Sequence, residues 1–76
     1  MEINRIKIVL VEKKRTGKWL AEKLEKSQET ISRFCNNKLQ PSIETLFEIA
    51  EALNVNVRDL LVSTKDNNSQ KKMTIK

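Results

Sequence analysis

Apolar residues recur at helical spacing in several stretches of this chain, and no stretch shows the two-residue alternation of a strand. Ile3, Ile6, Val9 and Leu10 share one face of a helix expected over about 3–14. Leu20, Ala21 and Leu24 mark a second over 17–24, and Ile31 with Phe34 a third over 28–36. Ile43, Leu46, Phe47, Ala50 and Leu53 form the stripe of a fourth. Val57, Leu60 and Leu61 mark a short fifth over 57–62. Cap residues stand where the stripes begin: Thr16, Ser27, Ser42 and Asn56. Lys13, Lys14 and Arg15 suit the end of the first helix, where cations meet the negative end of the dipole. Asn37 and Asn54 stand where a left-handed residue closes a helix. From Ser63 to Lys76 the chain is polar and without period, a tail expected to lie outside the fold.

The second and third helices are joined by only Glu25 and Lys26, which places them at a sharp turn. Ile31 and Phe34 claim one side of the third helix for the core. Its other side carries Gln28, Glu29, Ser32 and Arg33, polar groups able to reach base edges in a major groove. The plain alternative for these four is an ordinary solvated helix face.

Charge sharpens this picture. Residues 1–41 hold ten Lys or Arg against five Asp or Glu, whereas 42–62 hold only Arg58 against Glu44, Glu48, Glu51 and Asp59. The tail again is basic, with four Lys and one Asp. One basic side and one acidic side suit a module that turns its basic side to phosphates. At 76 residues there is room for one small core. No apolar run is long enough for a membrane span, and no signal-peptide pattern appears. The chain has no His and one Cys, which argues against a zinc site, a disulfide and nucleophilic catalysis. No metal, cofactor or catalytic residue is expected, and the expected compartment is the cytoplasm.

The run of Leu20-Ala21, Ser27, Ile31-Ser32, Asn37-Lys38, Pro41-Ser42, Leu46, Ile49-Ala50, Leu53 and Leu60-Leu61 resembles the phage-repressor and Cro-like (Xre-type) helix-turn-helix domains of bacterial transcription regulators. The resemblance spans about 3–62. It implies an all-α, compact five-helix DNA-binding domain over 1–62, with the helix-turn-helix at about 17–36 and the recognition helix at about 28–36; the flexible basic tail expected over 63–76 lies beyond it. It also implies operator binding as a homodimer. By position it puts Gln28, Glu29 and Arg33 at bases, and Thr16, Ser27, Asn36 and Lys38 near phosphates. Lys18 and Ser32 complete the candidate backbone contacts.

The chain departs from the family's pattern at four places. Gly17 stands where Gln is frequent, Glu25 and Asn37 stand where Gly is usual, and Leu10 with Cys35 replace a frequent Arg–Glu pair. The last change predicts that Leu10 and Cys35 pack together, an apolar substitute for a buried ion pair. Trp19 is expected to pack beside the first helix rather than stack on DNA.

The leading function is therefore sequence-specific binding of double-stranded DNA by a transcriptional regulator, read as a repressor on a palindromic operator. Val55, Val57 and Arg58 are the candidate dimer surface. The competing reading is an antitoxin-like module that holds a protein partner through its tail. Separately, Ile8 and Val11, off the core face of the first helix, are a candidate docking patch for Met73 and Ile75 or for a second chain; the plain reading is two exposed aliphatics.

Overall fold

Four α-helices and one 3-10 turn follow one another along the chain: α1 Ile6–Glu12, α2 Gly17–Leu24, α3 Gln28–Cys35, α4 Ile43–Leu53, and the turn Val57–Leu60. The computed structural model describes residues 2–63. Each of α2, α3 and α4 opens on its hydroxyl cap. Thr16, Ser27 and Ser42 accept from the backbone N–H of Trp19, Thr30 and Thr45 respectively. Each bond satisfies one N–H that the first helical turn leaves without a partner.

All four helices are closed by a residue in the left-handed region, and none of these residues is glycine. Lys14, Glu25, Asn37 and Asn54 have φ of 58, 57, 59 and 58°. At the end of α2 the N–H of Lys26 reaches back to the Ala21 carbonyl at 2.9 Å, and the N–H of Glu25 to that of Glu22 at 3.3 Å. This double closure turns the chain sharply enough to start α3 three residues later. Asn tolerates the conformation; Lys14 and Glu25 carry a steric cost of about 1–2 kcal/mol each. Gly17 has no such need. A Cβ there would meet only Ile31 Cγ2 at 3.6 Å, an ordinary contact.

One core joins all five elements. Ile6, Leu20, Ile31, Ile49 and Leu60, one from each, are fully buried, and Val9, Leu10, Ala21, Phe34, Leu46, Ala50 and Leu53 surround them. Leu24, Val55 and Val57 are half-buried against it. α2 packs on α3 and α4, while α1 packs on α3 and the 3-10 turn.

Several expectations are corrected. The first helix begins at Ile6, because the carbonyls of Ile3 and Asn4 accept from the Val62 N–H at 2.9 Å and the Asn37 amide at 3.2 Å instead of from a following helical turn. It ends at Glu12, because Lys14 turns left-handed. Ile3 is accordingly 47% exposed. The third helix stops at Cys35, with Asn36 as its cap. The fifth helix is a 3-10 turn of four residues, and Leu61 beyond it is extended and bridged to Asn4. In α4, Ile43 and Phe47 lie beside the core stripe and are 66% and 61% exposed.

The N-terminal segment is fastened on two sides. Toward the 3-10 turn, the N–H of Arg5 bonds the Leu60 carbonyl and the N–H of Val62 bonds that of Ile3. Toward α3, the buried Asn4 amide donates to the Phe34 carbonyl at 2.9 Å and to Gln40 Oε1 at 2.8 Å. Its Oδ1 accepts from the N–H of Ile6 at 3.1 Å, opening α1. Asn4→Ala should lower unfolding free energy by about 1–3 kcal/mol, because it strands buried polar groups; chemical denaturation measures this. A loss below about 0.5 kcal/mol would show that the amide is dispensable.

Candidate nucleic-acid interface

α3 presents a polar face fixed by its buried one. Ile31 and Phe34 are in the core, so Gln28, Glu29, Ser32 and Arg33 stand exposed on the outer surface. Glu29 and Arg33 are one turn apart and joined by an ion pair, Arg33 Nη2 to Glu29 Oε2 at 3.0 Å. Ser32 Oγ accepts from Asn36 Nδ2 at 3.3 Å.

Beside this face lies an open hollow where α1, the start of α2 and α3 meet. Lys7, Arg15 and Lys18 bring positive charge to it, and Gln28, Ser32 and Asn36 bring hydrogen-bonding groups. Leu10, Ile31 and Cys35 form part of its apolar lining. The N–H groups of Gly17 and Lys18 belong to the first turn of α2, which leaves them without intrahelical partners. Cations and helix-start amides around one concavity suit an anion. A second hollow, between the end of α2 and α4, is lined by Glu25, Glu48 and Glu51 with Lys23, and its charge suits no phosphate.

The structure thus brings Lys18, Gln28, Ser32 and Asn36 together at one hollow and pairs Glu29 with Arg33 beside it. Thr16 and Ser27 stand at the two helix starts. The Thr16 hydroxyl accepts from Trp19 N–H, whereas that of Ser27 both accepts from Thr30 N–H and donates to Thr30 Oγ1. Lys38 is exposed in the loop after α3, its N–H bonded to the Arg33 carbonyl at 2.9 Å. Sequence reasoning missed Lys7 and Arg15. Lys7 could have been found, since it stands one turn before Leu10, on the side of α1 that faces α3. Arg15 could not, because the left-handed Lys14 redirects it; its guanidinium lies 4.7 Å from the centre of the Trp19 ring. Trp19 itself is half-buried against the core.

Cys35 is half-buried, packs against the core that contains Leu10, and lines the same hollow as Leu10. Burial pushes its thiol above the ordinary value, and the nearby Lys7 ammonium opposes the shift without cancelling it. Such a thiol is a poor nucleophile at neutral pH.

A helix-turn-helix family model matches residues 6–60, from the start of α1 to the end of the 3-10 turn. The chain belongs to the Xre/Cro-like helix-turn-helix family. It is also similar to a crystal structure from Bacteroides fragilis, described provisionally as a DNA-binding protein. The two share 56% identity at a TM-score of 0.79, over 82% of this chain and 100% of that one. No curated protein matches. Among the described residues no helix is long and apolar enough to cross a membrane.

Cys35 should react with a thiol reagent at pH 8 more slowly than a free cysteine peptide, and should reach the peptide's rate in denaturant. Equal rates for the folded protein and the peptide would contradict the packing of Cys35 against the core.

Proposed function

We propose that this protein is a sequence-specific transcriptional regulator, a repressor that binds a palindromic operator as a homodimer and lays α3 in the major groove. The observation that carries this reading is the joint surface of α3 and the basic hollow. α3 turns Gln28, Glu29 and Arg33 toward the groove; Gln and Arg can make paired bonds to adenine and guanine, and Glu29, which could accept from cytosine, either reads a base or sets Arg33. Thr16, Lys18, Ser27, Ser32, Asn36 and Lys38 surround this face and meet the phosphate backbone, with Lys7 and Arg15 adding charge at the hollow. Phosphate contacts supply affinity and register, and base contacts supply sequence preference. DNA binding by the Bacteroides fragilis relative, as described for it, agrees with this reading.

A lone module of this kind buries only ~600–1,000 Å² on DNA, which limits its specificity. Two copies with α3 axes ~34 Å apart would read two half-sites one turn apart. Val55, Val57 and Arg58 are the proposed dimer surface; the two valines are half-buried and Arg58 is exposed. The protein works without a cofactor, in the cytoplasm, and not as an enzyme. One observation favours a protein partner as the second reading: Ile43 and Phe47, one turn apart on α4, are both more than half exposed. Ile8 and Val11 are exposed as well, while Met73 and Ile75, proposed to dock there, lie outside the described residues.

Arg33 and Lys38 separate the two kinds of DNA contact. Arg33→Ala should cost about 1–3 kcal/mol on the preferred site and relax preference at one base position. Lys38→Ala should weaken all duplexes alike and lower the salt slope by about one. Titrations against specific and random duplexes across a salt series measure both. If Arg33→Ala weakens every sequence equally, α3 does not read bases in the way proposed. If neither variant changes duplex binding, the protein-partner reading takes over.

A further inference from the structure

We propose that Glu29 is a positioning residue: it holds the Arg33 guanidinium in place on α3, and this hold sets how sharply Arg33 discriminates among bases. The inference rests on the reading that α3 contacts bases. Arg33 Nη2 donates to Glu29 Oε2 at 3.0 Å across one helical turn. Among the described residues, Arg33 is the only side chain bonded to Glu29.

Stability does not account for the pair. The two side chains are 57% and 75% exposed, and exposed pairs of this spacing contribute little to folding. Binding strength does not account for it either. A carboxylate on the DNA-facing side of a basic protein repels phosphates and so weakens binding to every duplex. What the carboxylate does supply is geometry. Arg is a long side chain that loses rotamer freedom on docking, a loss worth roughly two- to twelvefold in affinity. Glu29 restricts that freedom in advance. A guanidinium has five N–H donors in a rigid fork. With one Nη2 hydrogen on Glu29, the remaining donors still include a pair able to meet the O6 and N7 of guanine. The carboxylate also penalises placements in which Arg33 leaves it for a phosphate, because Glu29 would then face the backbone uncompensated. Glu29 thus trades general affinity for discrimination.

The helix dipole is a rival reason for Glu29, since it lies in the first turn of α3. A direct bond from Glu29 to a cytosine amino group is another. A double-mutant cycle separates all three. Wild type, Glu29→Gln, Arg33→Ala and the double variant are titrated against the best duplex from a random pool, its single-base variants and a random duplex. Both sites are exposed, so the variants keep the fold. Glu29→Gln should raise affinity for random duplex and lower discrimination at the position read by Arg33 by roughly two- to twelvefold. In the Arg33→Ala background the same change should leave discrimination untouched. If Glu29→Gln alters preference at a different base pair, equally in both backgrounds, Glu29 reads a base itself and the inference is wrong. If Glu29→Gln leaves discrimination intact while Arg33→Ala reduces it, the carboxylate serves only the helix, and base reading by α3 stands without it. If Arg33→Ala also leaves discrimination intact, base reading by Arg33 fails and the inference falls with it, whatever Gln28 reads.

Discussion

Asn37 sits just past the end of α3 in the left-handed conformation, and its side-chain oxygen takes the backbone N–H groups of both Ile3 and Asn4. Its amide returns a bond to the Asn4 carbonyl at 3.2 Å. Asn4 in turn occupies a buried site against Phe34 and Gln40, and Gln40 closes the circuit on Asn37 at 3.2 Å. Three amide side chains thereby tie the start of the chain to the end of α3. Because the same N-terminal segment is bridged to Leu61, the last described element is tied in too. Leaving the buried Asn4 amide partly satisfied would be costly; with its partners in place it specifies a single arrangement.

That arrangement is what places the candidate interface. α3 is fixed along its length by Ile31 and Phe34 in the core and at its end by the amide circuit. α2 is fixed to α3 by the three-residue turn Glu25-Lys26-Ser27, in which Glu25 has φ 57°. The polar face of α3 is therefore held by rigid elements, and so is the hollow beside it except at Arg15 and Asn36, which flank the helix ends. The charge follows the same division. Lys7, Arg15 and Lys18 gather at the α3 side, while Glu25, Glu48 and Glu51 line the hollow between α2 and α4.

Local chemistry was legible in the sequence and distant chemistry was not. Thr16, Ser27 and Ser42 announced their helices because a cap bonds its own first turn. The α2 boundaries followed from the same signals. Ile3 fits α1 by spacing, yet its carbonyl is claimed by Val62, far along the chain. Asn4 was passed over for the same reason, since a buried amide is visible only through its partners. Lys14 was read as a helix-end cation and is instead a left-handed closure. Phe47 was placed in the core because it continues the α4 stripe, but the surface α4 meets is narrower than that stripe. At the candidate interface, the exposed side of α3 follows from the buried positions of Ile31 and Phe34 and the Glu29–Arg33 pair from its one-turn spacing, whereas the contribution of Arg15 needed coordinates.

Selection of bound sequences from a random duplex pool tests the central claim most directly. The account predicts enrichment of a two-fold symmetric site whose half-sites are centred about ten base pairs apart. Recovery of the pool without any enriched sequence, at a salt concentration where duplex is still bound, would contradict it.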